Sequence, residues 1–267
     1  MKIMTCNIRC STADDGENGW THRQTLCCEV IRSRRPDVIC CQEVREDQYA
    51  DLAEAFDAFD LFGVPDEPMS YHPVNTILYR RDSFDRLAAS GFWLSETPHV
   101  PGSFSWESAC IRLATWVRLV DRASQREFIV VNTHLDHRSQ AARENQARII
   151  NAWASVFPPE VPIFLTGDMN CDRRNPAIRV FKDAGWRSAW EAVHGDAEAG
   201  FTVHWFLGRR AAEKTRTLDF MPDDLGKIDW IFVRGDVDVD DAEIVRDHDD
   251  GRYPSDHYFL AAEVRLR

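Results

Sequence analysis

Short apolar runs recur along this chain, and most of them stop at an acid, an amide or an imidazole. Lys2 to Ile8 carries Asn7, and Asp37 to Gln42 is followed at once by Glu43. Glu127 to Thr133 contains Asn132 and leads into His134 and Asp136, while Pro162 to Thr166 leads into Asp168 and Asn170. Ile228 to Val233 contains Asp229, and Asp256 and His257 directly precede Tyr258 to Arg265. Thr76 to Arg80 and Thr115 to Val120 are further runs of the same type. Their β-branched and aromatic bias between Asp, Gly and Pro marks strands. Polar groups at matching ends of neighbouring strands converge on one rim, where a rigid sheet holds them in register.

Helical spacing is confined to a few segments. Thr21 to Arg34 places Leu26, Val30 and Ile31 on one face, and Ser139 to Val156 does the same with Ile149, Ile150, Trp153 and Ala154. Asp47 to Phe56 and Pro176 to Ala184 are also helix candidates. No low-complexity linker, charge block or repeat divides the chain, so one domain over residues 1–267 is expected. Strands outnumber helices and both ends read as strands, which implies sheets packed face to face with helices outside.

The balance of 44 acidic against 32 basic residues, a net charge of -12, argues against a protein that coats long nucleic acid by charge alone. Nine Trp and fifteen Phe spread along the sequence argue against disorder. No apolar run approaches the roughly 18 residues of a membrane span. The start lacks a signal-type apolar core, so a cytoplasmic address is expected. Of eight cysteines, four form the adjacent pairs Cys27-Cys28 and Cys40-Cys41, which bridge only with strain and read as buried, reduced thiols.

Glu43, Asp168 and Asp256 are hard oxygen donors, suited to Mg²⁺ or Mn²⁺. Two imidazoles and two amides supply groups that donate to, or orient, phosphoryl oxygens. A metal, an activated water and phosphate-facing donors are what phosphate-ester hydrolysis needs. Each residue taken singly also has an ordinary structural role as a turn, cap or core group.

Together, TCNIR (5 to 9), QEV (42 to 44), NTHLDH (132 to 137), LTGDMN (165 to 170), KIDWIFV (227 to 233) and SDH (255 to 257) resemble the endonuclease/exonuclease/phosphatase superfamily, the DNase I-like group. NGWTHR (18 to 23), GFWLSETP (91 to 98), RLATWVRL (112 to 119) and GRYPSDH (251 to 257) are similar to a bacterial branch of metal-dependent hydrolases within it. The resemblance implies a four-layer α/β/β/α sandwich, two mixed sheets flanked by helices, with the site at one edge. It makes Glu43 the principal metal ligand, assisted by Asn7 and Asp256. Asp168 would activate the attacking water, and Asn170 would hold that water or a phosphoryl oxygen. His257, paired with Asp229, would contact the scissile phosphate, and His134 would be the second imidazole. Arg112 falls where relatives often place a phosphate-contacting Arg.

The chain departs from the family pattern in two places. Many relatives carry a Glu before the strand VNTILYRRD, where this chain has Tyr71-His72-Pro73-Val74-Asn75. His134 is therefore expected to lack its usual carboxylate, and either His72 or Asn75 substitutes in the site or the segment is an ordinary loop. In FTVHWFLG (201 to 208), Trp205 replaces a residue usually small in this branch. It is read either as a stacking platform for a substrate ring or as packing under a loop. Trp93 and Trp106 invite the same two readings. Arg209, Arg210, Lys214 and Arg216 form a local cationic stretch, partly cancelled by Asp219, Asp223 and Asp224. The expected activity is a Mg²⁺- or Mn²⁺-dependent phosphoesterase acting on a small anionic substrate. The alternatives are a nuclease acting on DNA or RNA, and an inactive binding or scaffold relative.

Overall fold

A computed structural model describes residues 1–68, 72, 74–214 and 226–267. Pro73, Tyr71, Arg216, Asp219, Asp223, Asp224 and the Lys214 side chain, all singled out above, lie outside the described residues.

The first sheet contains β1 (Lys2–Asn7), β2 (Val38–Gln42), β3 (Phe59–Phe62), β4 (Asn75–Arg80), β11 (Val237–Val245) and β12 (Phe259–Leu266), in the order β11-β12-β1-β2-β4-β3. The second contains β5 (Phe84–Trp93), β6 (Leu113–Asp121), β7 (Glu127–His134), β8 (Ile163–Asp168), β9 (Arg187–Ser188) and β10 (Asp229–Arg234), in the order β5-β6-β7-β8-β10-β9. Both are mixed: β1–β2 and β7–β8 are parallel, and the other pairs antiparallel. Helices α1 (Trp20–Ser33) and α2 (Glu46–Ala55) contribute Cys27, Ile31 and Leu52 to a core with the outer face of the first sheet. Helices α3 (Gln140–Ala154) and α4 (Pro176–Asp183) pack Ile150, Ile178 and Phe181 on the outer face of the second. The four layers are therefore α/β/β/α, as expected.

Central strands are covered on both faces, which explains why they read as continuous apolar runs. Cys40 points between the sheets while Cys41 points under the helices. Burial raises the thiols of Cys27, Cys40 and Cys41 far from thiolate formation, that of Cys40 to about 12. All eight cysteines are free.

The period of two along each strand sets a gradient between the sheets. Ile3, Val38, Phe128, Val130, Phe164, Ile231 and Val233 fill the inter-sheet core. One step further toward the site, the same inward positions hold Thr5, Gln42, Asn132 and Thr166. Gln42 Nε2 donates to Thr5 Oγ1 (3.0 Å) and Asn132 Oδ1 (2.6 Å), and Asn132 Nδ2 donates to the carbonyls of Cys41 (2.8 Å) and Thr76 (3.1 Å). The next inward positions are Asn7, His134, Asp168 and Asp229, at the strand ends. Apolar core, neutral polar layer and ionisable layer thus follow one another along the same strands. No helix among the described residues is long and apolar enough to cross a membrane.

Candidate active site

His134 and Asp168 of the ionisable layer, with Glu43, Asn170, Asp256 and His257, line a cleft of about 1240 Å³, and Asn7 and Asp229 are not among its lining residues. Strand register brings the members of the layer together. Asp229 on β10 pairs with Asp168 on β8, which pairs in turn with His134 on β7. From the opposite sheet, Asn7 Nδ2 donates to Asp168 Oδ2 (3.1 Å) and to Glu43 Oε1 (3.1 Å). Its Oδ1 accepts from the Arg9 N–H at 3.0 Å, leaving one lone pair. Ser255 Oγ donates to the Asn7 carbonyl (2.6 Å), which ties the end of β1 to the Asp256-His257 segment.

Asp168 Oδ1 accepts from the Asn170 N–H at 2.8 Å, and its Oδ2 lies 3.4 Å from His134 Nε2 and 3.8 Å from His257 Nε2. Burial, then the neighbouring Asp229, raises the Asp168 carboxyl to about 7. The expected His257–Asp229 pair is present, Nδ1 to Oδ2 at 2.9 Å. Burial alone would lower the His257 pKa, but Asp229, Asp256 and Asp168 together raise it well above the usual value. The imidazole is thus held charged, with its Nε2–H toward Asp168.

His134 behaves oppositely. Asn170 Nδ2 donates to the Leu135 carbonyl (3.0 Å), which fixes the amide nitrogen there, so the His134 Nε2 that faces it at 2.9 Å is an acceptor. Burial, then Arg112, pushes His134 well below its ordinary range. It is a neutral ring beside a charged one. Of the residues weighed for the place of the family Glu, Asn75 lines the cleft, with Nδ2 on the Leu113 carbonyl (2.8 Å) and Oδ1 without a partner, whereas His72 is not part of the lining.

Glu43 accepts from the Cys10 N–H through Oε2 at 3.0 Å. Burial works against its ionisation, but the Asn7 amide, the Cys10 N–H and the charged His257 ring hold it below its ordinary range. Asp256 is raised by burial and then by Glu43, against Arg9 and Arg23. Arg9 Nε is 3.8 Å from Asp256 but is engaged bidentately by Asp15. Half-buried Glu43 and buried Asp256 both line the cleft, and Glu43 adds to the burial that opposes ionisation of Asp256; such a pair of carboxylates is a donor set that a small hard cation relieves. The residues present therefore fit a divalent metal ion. Among the described residues, the group of three acids or imidazoles whose ligand atoms lie within 4.8 Å of one another is a different one, Asp168, Asp229 and His257. There Asp229 already occupies His257 Nδ1 by a hydrogen bond, and Asp168 stands 3.8 Å from the other ring nitrogen.

Arg112 lines the cleft and donates through Nη2 to His137 Nδ1 at 3.2 Å, so the His137 proton sits on Nε2. Trp205 is half-buried and also lines the cleft. Trp93 is 9% exposed and donates to the Asp66 carbonyl, a packing role, and Trp106 is not part of the lining. Arg209 and Arg210 are exposed and stand outside the lining.

Two features escape sequence reasoning. Arg9, Glu43, Asn170 and Trp205 all line the cleft with positive φ, at 55°, 66°, 49° and 48°. Left-handed backbone at non-glycine residues costs about 1–3 kcal/mol each and gathers at functional sites. The other is Arg23, a buried guanidinium whose only signal in the sequence is its place in NGWTHR.

The fold and the sequence place the chain among known proteins. It is 27% identical to Nocturnin of Drosophila melanogaster over 281 positions, covering 92% of this chain and 42% of Nocturnin, so it spans less than half of that relative. An endonuclease/exonuclease/phosphatase from Bacteroides vulgatus superposes with a TM-score of 0.87 at 29% identity, over 100% of this chain and 98% of the other. A Bacteroides thetaiotaomicron mannosyl-6-phosphatase gives 0.85 at 25% identity, over 99% of both chains. The sequence profile of the Endonuclease/Exonuclease/phosphatase family matches residues 4–257, and this chain belongs to that family.

Proposed function

We propose that the protein is a phosphoesterase, dependent on Mg²⁺ or Mn²⁺, that hydrolyses a small anionic phosphate ester by in-line attack of water. The observation that carries this reading is the meeting of Glu43, Asp168, Asn170, His134 and His257 in the lining of one cleft, with Asn7 and Asp229 hydrogen-bonded to them. Glu43 and Asp256, with the free lone pair of Asn7, would hold the cation. When bound, it supplies positive charge beside the phosphoryl oxygens.

The chain's own groups divide the remaining work. Asp168, fixed by the Asn170 N–H and the Asn7 amide, accepts the proton of the attacking water through a carboxylate oxygen. Asn170 orients the water or a phosphoryl oxygen. His257, held charged and in one tautomer by Asp229, donates Nε2–H to a phosphoryl oxygen as negative charge builds there. His134 is neutral in the free protein; an entering phosphate brings charge beside the ring, favours its protonation and makes it the second donor. Arg112 and Trp205 line the way in, as an anion contact and a face for a sugar or base.

A small substrate is favoured because two of the cleft arginines, Arg9 and Arg174, are already engaged by Asp15 and Asp172, which reduces the positive charge offered to a polymer. The Bacteroides relative named a mannosyl-6-phosphatase supports the same class.

Release of p-nitrophenol from bis(p-nitrophenyl) phosphate should require Mg²⁺ or Mn²⁺ and cease on chelation. Silence with Mg²⁺, Mn²⁺ and Ca²⁺ alike would leave a binding or scaffold role. Turnover should also rise as the pH passes through about 7, where Asp168 ionises, and fall again at higher pH as His257 loses its proton. A rate independent of pH across that range would contradict both assignments.

A further inference from the structure

Arg23, on α1, is 3% exposed, and among the described residues its guanidinium has no carboxylate partner. Its hydrogen bonds go to backbone carbonyls instead. Nε donates to Asn18 (2.9 Å), Nη1 to both Ile8 (2.6 Å) and Pro254 (2.9 Å), and Nη2 to Arg9 (2.8 Å). The cation lies 5.0 Å from the Trp20 ring centroid and 5.6 Å from that of Phe206. Burying a full charge on neutral acceptors is unfavourable unless nearly every donor is satisfied, and a Leu or Met would fill the space under α1 without that cost.

The identity of the acceptors supplies a reason. Ile8 and Arg9 directly follow Asn7, Pro254 precedes Ser255-Asp256-His257, and Phe206 follows Trp205. The three segments reach the site from opposite ends of the chain, and two of them carry left-handed residues, Arg9 and the Trp205-Phe206 pair at 48° and 60°. A single nitrogen, Nη1, bridges the start of the chain to its end.

We propose that Arg23 is a positioning residue, a buried guanidinium clamp that sets the end of β1 at Asn7 and the loops carrying Asp256 and Trp205 relative to one another. The proposal rests on the phosphoesterase reading of the site. A planar fork with donors in fixed directions can serve carbonyls on three sides; a lysine ammonium is a point charge on a flexible stem and cannot. The loops would then drift by a fraction of an ångström, and misplacement on that scale costs up to about 10²-fold in rate.

The test uses Arg23→Lys and Arg23→Ala in the full chain, with melting curves, kcat and KM on bis(p-nitrophenyl) phosphate, and Mn²⁺ binding by calorimetry. Arg23→Lys should stay folded, lose roughly 10- to 100-fold in kcat with KM changed less than about 3-fold, and bind Mn²⁺ at least about 10-fold more weakly. Guanidinium ion, added to Arg23→Ala below the concentration that lowers its melting temperature, should recover at least about tenfold in kcat. A folded Arg23→Lys with parental kcat and Mn²⁺ affinity overturns the proposal. So does an Arg23→Ala whose melting temperature rises with guanidinium while kcat does not, or a pair of variants neither of which folds, since the clamp then serves the fold alone. An inert parent protein would count against the phosphoesterase reading, and the Mn²⁺ affinities would still decide the role of Arg23.

Discussion

Asp168→Asn is expected to cut kcat by about 10³-fold while leaving the protein folded and melting no lower than the parent. The carboxylate lies close to four other groups of the site: Asn7 at 3.1 Å, His134 at 3.4 Å, His257 at 3.8 Å and the Asn170 N–H at 2.8 Å. An amide keeps the shape and one acceptor, so the Asn170 turn survives, but it cannot take a proton from water. The effect on stability has the opposite sign. Asp168 is 2% exposed and its register partner is a second acid, Asp229. Its folded pKa lies above the unfolded one, so its contribution to stability is fully present below about pH 4, the ordinary value, and is lost as the pH rises through about 7. From neutral pH upward the free protein therefore carries an increasingly ionised carboxylate that folding disfavours, and removing the charge relieves it. Activity and stability trade against each other at this residue. Steady-state kinetics on bis(p-nitrophenyl) phosphate beside a thermal melt checks both halves. A folded Asn variant within tenfold of the parent rate would remove Asp168 from the chemistry.

Such residues are visible in the sequence because a charged or amide group that ends an apolar run has few reasons to be there. The expected central strands occur within one or two residues of their observed bounds, as Glu127 to Thr133 does in Glu127–His134. The strands not anticipated are β3, β5, β9 and β11, and β3, β5, β9 and β11 are the sheet edges. An edge strand buries less and is often blunted with charge, so its pattern is weak. β11 reads VDVDDAEIV, and its acids Asp238 and Asp240 pair with Arg265 on β12. β5 carries a bulge between Arg86 and Ala88 that breaks its alternation. The neutral layer was not anticipated as a layer: Asn132 was expected at the rim and lies one step short of it, hydrogen-bonded between the sheets with Gln42, because within a strand an inward amide looks like an outward one until the facing sheet is known. Arg23 was hidden because its partners are carbonyls, which every residue has. Asn75, in contrast, was singled out from the sequence and does line the cleft, while His72 does not.

The largest effect on stability should come from a glycine. Gly167, one residue before Asp168, pairs with Thr133, one residue before His134, in the parallel ladder of β7 and β8. Its φ is 150°, and a Cβ there would lie 2.0 Å from the Thr133 carbonyl oxygen. That oxygen belongs to a central strand packed on both faces, so it cannot retreat as the end of a flexible side chain would. Gly167→Ala therefore combines backbone strain of about 1–3 kcal/mol with overpacking of about 1–3 kcal/mol or more. At about 2–4 °C per kcal/mol in a chain of this size, the melting temperature should fall by roughly 5–20 °C. Gly185→Ala is the control, because Gly185 also has positive φ, at 87°, but nothing within 4 Å of the added carbon. It should cost only about 1–2 kcal/mol of conformational strain. The same close approach of β7 and β8 sets the 3.4 Å between His134 and Asp168. Whatever fraction of Gly167→Ala remains folded should accordingly lose turnover as well, whereas Gly185→Ala should keep it. Equal melting temperatures for the two variants would mean that the strands can part without loss, and that their spacing is not what fixes the catalytic pair.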